Sequence, residues 1–241
     1  MAEAADDLRT IIRALVAGNR ILAHEGIVDS MGHISARHPG NSKRYLLSRA
    51  RSPEVVEEGD IMTFELDGTP VEDKDRPMYI ERHIHGAIYE ARPEVMAVVH
   101  NHCAEILPFA ITRTPMRPAV HFARRLGNGV PVWDIQDHFG DTDLLVTTME
   151  QGRDLASVLR ANKAALMRGH GCAVTGHSIP DAVQTSIAMK GNARAILDGL
   201  TLGEVTYLTP GEIGSTSPGR TSLRGFDRAW EYLCRRAGVE P

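Results

Sequence analysis

The sequence predicts an α/β protein, and three observations carry that class. Leu8, Ile11, Ile12, Leu15, Val16 and Leu22 recur at helical spacing, so a helix with one buried face should run from about Asp6 to His24. Short runs such as Arg44–Ser48, Ile61–Leu66 and Met96–Asn101 have the length and composition of strands. Stretches of helical period lie between and after them, the last of them long and opened by Ser178.

In chain order, Gly26 and Asp29-Ser30 allow a turn into Gly32–His38, a short strand or a loop that bears functional side chains. Strands follow at Arg44–Ser48 and Ile61–Leu66, with a turn at Asp67-Gly68. A second helix is expected from near Pro77 to just before Pro93, then a strand over Met96–Asn101 and a helical turn over Ala104–Ala110. Pro115, Pro118, Gly127, Gly129, Pro131 and Gly140 break residues 112–145 into short strands and loops. Thr148–Asn162 reads as helix, and Leu166–Thr175 as a strand pair or a strand interrupted at His170. Ser178 and Asp181 predict a reciprocal cap on a helix carrying Val183, Ile187, Ile196, Leu197 and Leu200. A surface connection over 210–219 then leads to a terminal helix with Phe226, Trp230 and Leu233. There is no internal repeat and no convincing domain linker.

The chemistry concentrates at His100-Asn101-His102, which closes the apolar run Met96-Ala-Val-Val. Side chains two apart on a strand share a face, so the two imidazoles can share a divalent ion. His170, between Gly169 and Gly171, is a third candidate ligand. Glu81 and His85 lie four apart in a helical stretch, a spacing that places both on one face. Three imidazoles beside a carboxylate suit a catalytic site with an open metal position. Cys103 and Cys172 flank this set, and thiolate ligation stands as an alternative to simple burial.

The remaining composition excludes more than it suggests. At 241 residues, 42% hydrophobic and 24% charged, the chain has an ordinary globular balance and enough length for one large core or two small ones. A formal charge of -4, from 27 basic and 31 acidic side chains, predicts neither a nucleic-acid surface nor an acidic tail. No apolar run approaches membrane-spanning length and the N-terminus lacks a secretory pattern, so no membrane association and a cytoplasmic location are expected. Three cysteines without paired spacing argue against a disulfide framework.

Taken in order, the pieces resemble the class II aldolase/adducin family. The resemblance rests on Gly32-His33-Ile34-Ser35, the Glu81 helix, Ala97-Val-Val-His100-Asn-His102 and Gly169-His170-Gly171, and extends over roughly residues 8–205. It implies one three-layer α/β/α domain over 1–241 with a mostly antiparallel central sheet. It also implies a homotetramer, with a terminal segment from about residue 209, Tyr232 included, placed to contact a neighbouring subunit. By the same resemblance His100, His102 and His170 are the metal ligands and Glu81 is the acid/base, with His85 a further candidate catalytic group. Manganese is the implied ion, and zinc, iron or cobalt would accept the same donors.

Sugar-phosphate aldolases of the family carry asparagine in the Gly-x-Ile-Ser motif and paired serines before the glutamate. This chain has His33 and Met78-Tyr79-Ile80 there, and methionine and isoleucine donate no hydrogen bond to a phosphate. Together with Ser48-Arg49-Ala-Arg51-Ser52-Pro53 and His121-Phe-Ala-Arg124-Arg125, these changes resemble a decarboxylase branch. Its implied substrates are small aromatic hydroxy-dicarboxylates, either 3-hydroxy-2-methylpyridine-4,5-dicarboxylate or hydroxylated phthalates. His33, Ser48, Arg49, Arg51, Tyr79 and His121 are the candidate substrate-binding residues, the arginines because a planar fork engages both oxygens of a carboxylate. An aldolase or dehydratase acting on a non-phosphorylated hydroxy-carbonyl compound, iron-dependent oxygen chemistry and a non-catalytic adducin-like interaction role are the alternatives.

Overall fold

A computed structural model describes residues 2–215 and 223–240. Helix α1 (Ala2–His24) leads into the strands β1 (His33–Arg37), β2 (Arg44–Ser48) and β3 (Ile61–Glu65). Helix α2 (Arg82–Ala91), strand β4 (Ala97–Asn101) and the short α3 (Leu107–Ile111) follow. After a 3-10 segment at His121–Leu126 come β5 (Val132–Trp133), α4 (Gln136–Phe139), α5 (Met149–Leu159), β6 (Ala164–Met167) and β7 (Gly171–Gly176). Helices α6 (Ile179–Leu202), α7 (Pro210–Gly214) and α8 (Leu223–Arg236) complete the order. The connection expected over 210–219 therefore opens as α7 and then passes outside the described residues, as does the side chain of Phe226.

All seven strands form one sheet in the order β3-β2-β1-β4-β7-β6-β5, antiparallel except where β5 runs parallel to β6. The period-2 alternation of each strand divides its side chains between two cores. Ile34, Ala36, Leu46, Ala97, Val99, Leu166, Cys172 and Val174 face α1 and α6, meeting Leu15, Leu22, Val183 and Ile196. Tyr45, Leu47, Phe64, Val98, Ala165, Met167 and Ala173 face α2 and α5, meeting Ile84, Ile88, Leu155 and Leu159. Helices on both faces of a mostly antiparallel sheet make the three-layer α/β/α architecture that the family resemblance implies.

Helix starts match local chemistry, with two revisions. Thr148 and Gln151 form a reciprocal capping box for α5. Ser178 accepts from the Asp181 amide of α6, but the Asp181 carboxylate accepts from the His177 amide and from Lys163 Nζ instead of returning the bond to Ser178. The second revision is larger: α2 begins at Arg82, not near Pro77. Backbone bonding explains the late start, because the Pro77 carbonyl accepts from the Ala50 amide and a turn at Ile80 and Glu81, closed by the Arg82 amide on the Tyr79 carbonyl, precedes the helix.

Helix α2 packs unusually close to its surroundings, because two glycines remove side chains at the contacts. A Cβ on Gly86 would lie 1.9 Å from the Leu66 carbonyl oxygen, and one on Gly152 of α5 would lie 2.7 Å from the His83 carbonyl oxygen. The backbone atoms at these contacts cannot rotate away as a side chain can. Gly86→Ala should lower stability by about 1–3 kcal/mol, since overpacking outweighs the gain of about 1 kcal/mol in helix propensity. A urea midpoint that falls without a change of slope is the expected result; an unchanged or higher midpoint would mean that the Leu66 turn gives way freely.

Candidate metal centre and cavity

Three segments deliver four donors to a single point. His100 is the penultimate residue of β4 and lies on the α2 face, His102 follows one residue beyond the strand, His170 sits in the turn between β6 and β7, and Glu81 occupies the N-cap of α2. One ligand atom from each of the four lies within 4.8 Å of every other. Glu81 Oε2 is 3.2 Å from His100 Nε2 and 3.3 Å from His170 Nε2, and the Nε2 atoms of His100 and His102 are 3.0 Å apart.

The outer hydrogen bonds decide what those atoms present. His100 Nδ1 donates to the Cys172 carbonyl at 3.1 Å, and His102 Nδ1 donates to the Asp29 carboxylate at 3.1 Å. In the ligating tautomer, with the proton on Nδ1, both rings would present Nε2 to one shared ion beside the carboxylate. Acceptors packed this closely repel unless a cation lies among them, and three imidazoles with a carboxylate form a donor set for a divalent first-row metal. His170 Nδ1 is buried and, among the described residues, has no hydrogen-bond partner.

Charge and burial act in opposite directions here. Burial pushes the Glu81 carboxyl up, but the neighbouring His100 and His170 outweigh it and hold Glu81 well below the usual carboxylate range. Its Oε1 accepts the Val146 amide at 2.9 Å, which leaves Oε2 for the histidines. At Asp29 burial again raises, and the Met31 and Gly32 amides with His102 lower, leaving the carboxyl below its ordinary value.

The centre opens into a cavity of about 610 Å³. Met31, Met78, Ile80, Leu144 and Leu145 give it apolar walls, while His33, Arg51, Tyr79 and Asp143 supply polar groups. Of the substrate-binding candidates, His33, Arg51 and Tyr79 therefore line the cavity. Arg49 and Arg51 both bond the buried Asp60, at 2.6 and 2.5 Å, and Ser48 is buried beside them in sequence with its hydroxyl unpartnered among the described residues. The Tyr79 phenol donates to the Arg51 carbonyl and fixes the arginine's backbone.

Two candidates fall elsewhere. His121 is exposed at the start of the 3-10 segment, whose Ala123 and Leu126 turn inward, and it is not part of the cavity wall. His85 shares a helix with neither the metal centre nor Glu81 in the way its spacing suggested: Glu81 caps the helix and points out of its end, while His85 lies one turn in and faces β1. There its Nε2 is 2.7 Å from His33 Nδ1 and its Nδ1 is 2.6 Å from Ser35 Oγ. Burial, with His100 close by, drives the His85 pKa down to about 3, and burial likewise holds His33 well below its usual value, so both rings are neutral.

Sequence reasoning missed Asp29, Asp60, Val146 and the partnership of Ser35 and Tyr89 with His85. Asp29 had only a turn signal, since Oδ1 accepts the Met31 and Gly32 amides, and nothing in its spacing pointed to His102. Asp29→Asn should weaken divalent-ion binding about 10- to 100-fold, the usual effect of removing an outer carboxylate from a ligating histidine. Competition with a chromophoric chelator measures this, and an unchanged affinity would remove Asp29 from the centre.

Comparison with known proteins gives the family and the fold. The model of the Class II Aldolase and Adducin N-terminal domain matches residues 13–197. Decarboxylase tropJ of Talaromyces stipitatus is 34% identical over 248 residues, covering 93% of this chain and 92% of that protein. A 3,4-dihydroxyphthalate decarboxylase of Arthrobacter keyseri is 28% identical over 238 residues, covering 92% of each. The crystal structure of an aldolase II superfamily protein from Pseudomonas syringae superposes with a TM-score of 0.78 at 20% identity, covering 95% of this chain and 92% of that one, and shares the fold. With 13–197 matched and the three-layer sheet and four-donor centre in place, the chain belongs to the class II aldolase/adducin family.

Proposed function

We propose that the chain is a divalent-metal-dependent lyase that removes carbon dioxide from a hydroxylated aromatic or pyridine dicarboxylate. The observation that carries this reading is the opening of the four-donor centre into a cavity that combines apolar walls with polar groups from Ser30, His33, Arg51, Ser52, Tyr79 and Asp143. Such walls suit a flat ring, and the polar groups suit its oxygens. Similarity along nine-tenths of the chain to two proteins named as decarboxylases supports it. Met78 and Ile80, where sugar-phosphate aldolases use serines, argue against a phosphate.

His100, His102 and His170 would hold the ion, with Glu81 Oε2 beside them. Manganese is the ion proposed, and a homotetramer belongs to the same reading through the family resemblance. A bound divalent ion supplies Lewis-acid withdrawal of the electron pair left when the bond to the departing carboxyl breaks. Arg51 engages Glu57 and Asp60 through Nη1, leaving the rest of its fork for the carboxylate that remains on the ring. Glu81, held ionised, would act as a base that takes a proton from the substrate hydroxyl or a water and passes it to the ring carbon. The Tyr79 ring lies tilted against His33, with ring centroids 4.3 Å apart, and forms part of the cavity wall.

The deciding assay is carbon dioxide release from metal-depleted protein, with and without added manganese. The panel contains 3-hydroxy-2-methylpyridine-4,5-dicarboxylate and hydroxylated phthalates. Release from at least one compound, dependent on manganese, is the expected result. No release from any of them, with metal occupancy confirmed, would overturn decarboxylation in favour of aldol cleavage or dehydration of a non-phosphorylated hydroxy-carbonyl compound.

A further inference from the structure

Behind the cavity wall, four buried groups form a continuous hydrogen-bonded chain. His33 Nδ1 meets His85 Nε2 at 2.7 Å, His85 Nδ1 meets Ser35 Oγ at 2.6 Å, and Ser35 Oγ meets the Tyr89 hydroxyl at 2.8 Å. All four residues are at most 2% exposed. Only His33 reaches the cavity, and among the described residues its Nε2 has no hydrogen-bond partner.

The chain can be protonated in two directions, and its far end distinguishes them. Were His33 to donate from Nδ1, then His85 would donate to Ser35 and Ser35 to the Tyr89 oxygen. The phenol hydrogen would then be stranded, because the acceptor it meets among the described residues is Ser35 Oγ, and the Val98 backbone contact, which favours the ionised phenol, comes from an N–H donor. In the opposite direction every donor is used: Tyr89 donates to Ser35, Ser35 to His85 Nδ1, and His85 Nε2–H to His33 Nδ1. Buried hydroxyls and imidazoles adopt the arrangement that satisfies them all. His33 is then left with its proton on Nε2.

We propose that His33 is a neutral N–H donor to an anionic oxygen of the substrate, and that Tyr89, Ser35 and His85 are positioning residues which fix its proton on Nε2. This deepens the reading of the cavity as a site for an aromatic acid and rests on it for the identity of the anion. It also reassigns His85: the ring acts through His33 and does not touch substrate. A fixed N–H donor beside the metal ligands serves a carboxylate or phenolate oxygen without reorganising when that oxygen arrives.

The test reads the proton directly, without turnover. Long-range 1H–15N spectra of the zinc-loaded, full-length protein, labelled in histidine, should give His33 as the Nε2–H tautomer. Ser35→Ala and Tyr89→Phe should each introduce an Nδ1–H population, whereas Ser35→Thr, which keeps the hydroxyl, should not. Phthalate, titrated as an anionic probe, should bind about three- to tenfold more weakly to Tyr89→Phe, the usual effect of one misdirected hydrogen bond. Thermal melts identify a variant that has lost its fold, and wild-type His33 needs no variant. An Nδ1–H tautomer in the wild type, or an unchanged Nε2–H in folded Ser35→Ala and Tyr89→Phe, overturns the assignment. If the tautomers behave as expected but neither phthalate nor a hydroxyphthalate binds, the directed chain stands and the aromatic-acid reading fails.

Discussion

The antiparallel pairing of β4 with β7 is the constraint on which the site depends. It sets His100 opposite Ala173 and Asn101 opposite Cys172, and the β6–β7 turn then folds back over the end of β4. Only a residue without a side chain allows that return, because a Cβ on Gly171 would lie 2.2 Å from the Asn101 carbonyl oxygen. Gly169, at φ +67, supplies the left-handed step on the other side of His170. The two glycines therefore do more than leave space near a metal. They bring the His170 ring to 5.0 and 5.1 Å from those of His100 and His102, so two segments distant in sequence become one ligand set.

The two faces of the sheet divide the work. The α1/α6 face is filled with hydrocarbon and supplies hydrophobic stabilisation, whereas the α2 face is apolar at one end and polar at the other. His33, Ser35, His85, His100 and Tyr89 are all buried on that second face, where each unsatisfied group would be costly. Arg37 illustrates the solution: its guanidinium donates to the carbonyls of Val95, Ser42, Tyr89 and Arg92, tying the end of α2 to β1 without an ion pair. Polar groups can line the interior beside the site because hydrogen bonds of this kind account for most of them, with Ser48 Oγ, Asn101 Nδ2 and His170 Nδ1 among the exceptions.

This division explains what could be read in the sequence. Strands β2 to β4, helices α1, α5 and α6, and the His100 and His102 pair follow from period, caps and the His-x-His spacing, all of which are local properties. By contrast β1 reads as strand or loop, Leu166–Thr175 as a strand pair or one interrupted strand, and His170 rests on its flanking glycines. The start of α2 did not follow, because the segment before Glu81 is held by the Ala50 amide and no local signal marks it. The error carried into function, since a helix running from Pro77 would have put Glu81 and His85 on one face. As a cap, Glu81 projects beyond the helix end while His85 turns under β1. Asp29 and Asp60 were equally hidden, being defined by partners 73 and 9 or 11 residues away and not by any motif.

Asp60 bears on what kind of anion the cavity selects. Arg49, Arg51 and Arg76 surround it, yet Glu57 bonds Arg51 and Asp73 pairs with Arg76, so three guanidinium groups face three carboxylates. A neutral cluster creates little long-range field, unlike the excess positive potential that gathers phosphates. What it does provide is order: a guanidinium braced by a carboxylate and a main-chain hydrogen bond has already lost the rotamer freedom that binding would otherwise take from it. In the proposed reading, attraction for an anion would come from a divalent ion held at the histidines, and orientation from Arg51 and His33. A planar acid that spans those groups satisfies both requirements, whereas a phosphate on a flexible sugar, set against Met78 and Ile80, would gain neither field nor donors there.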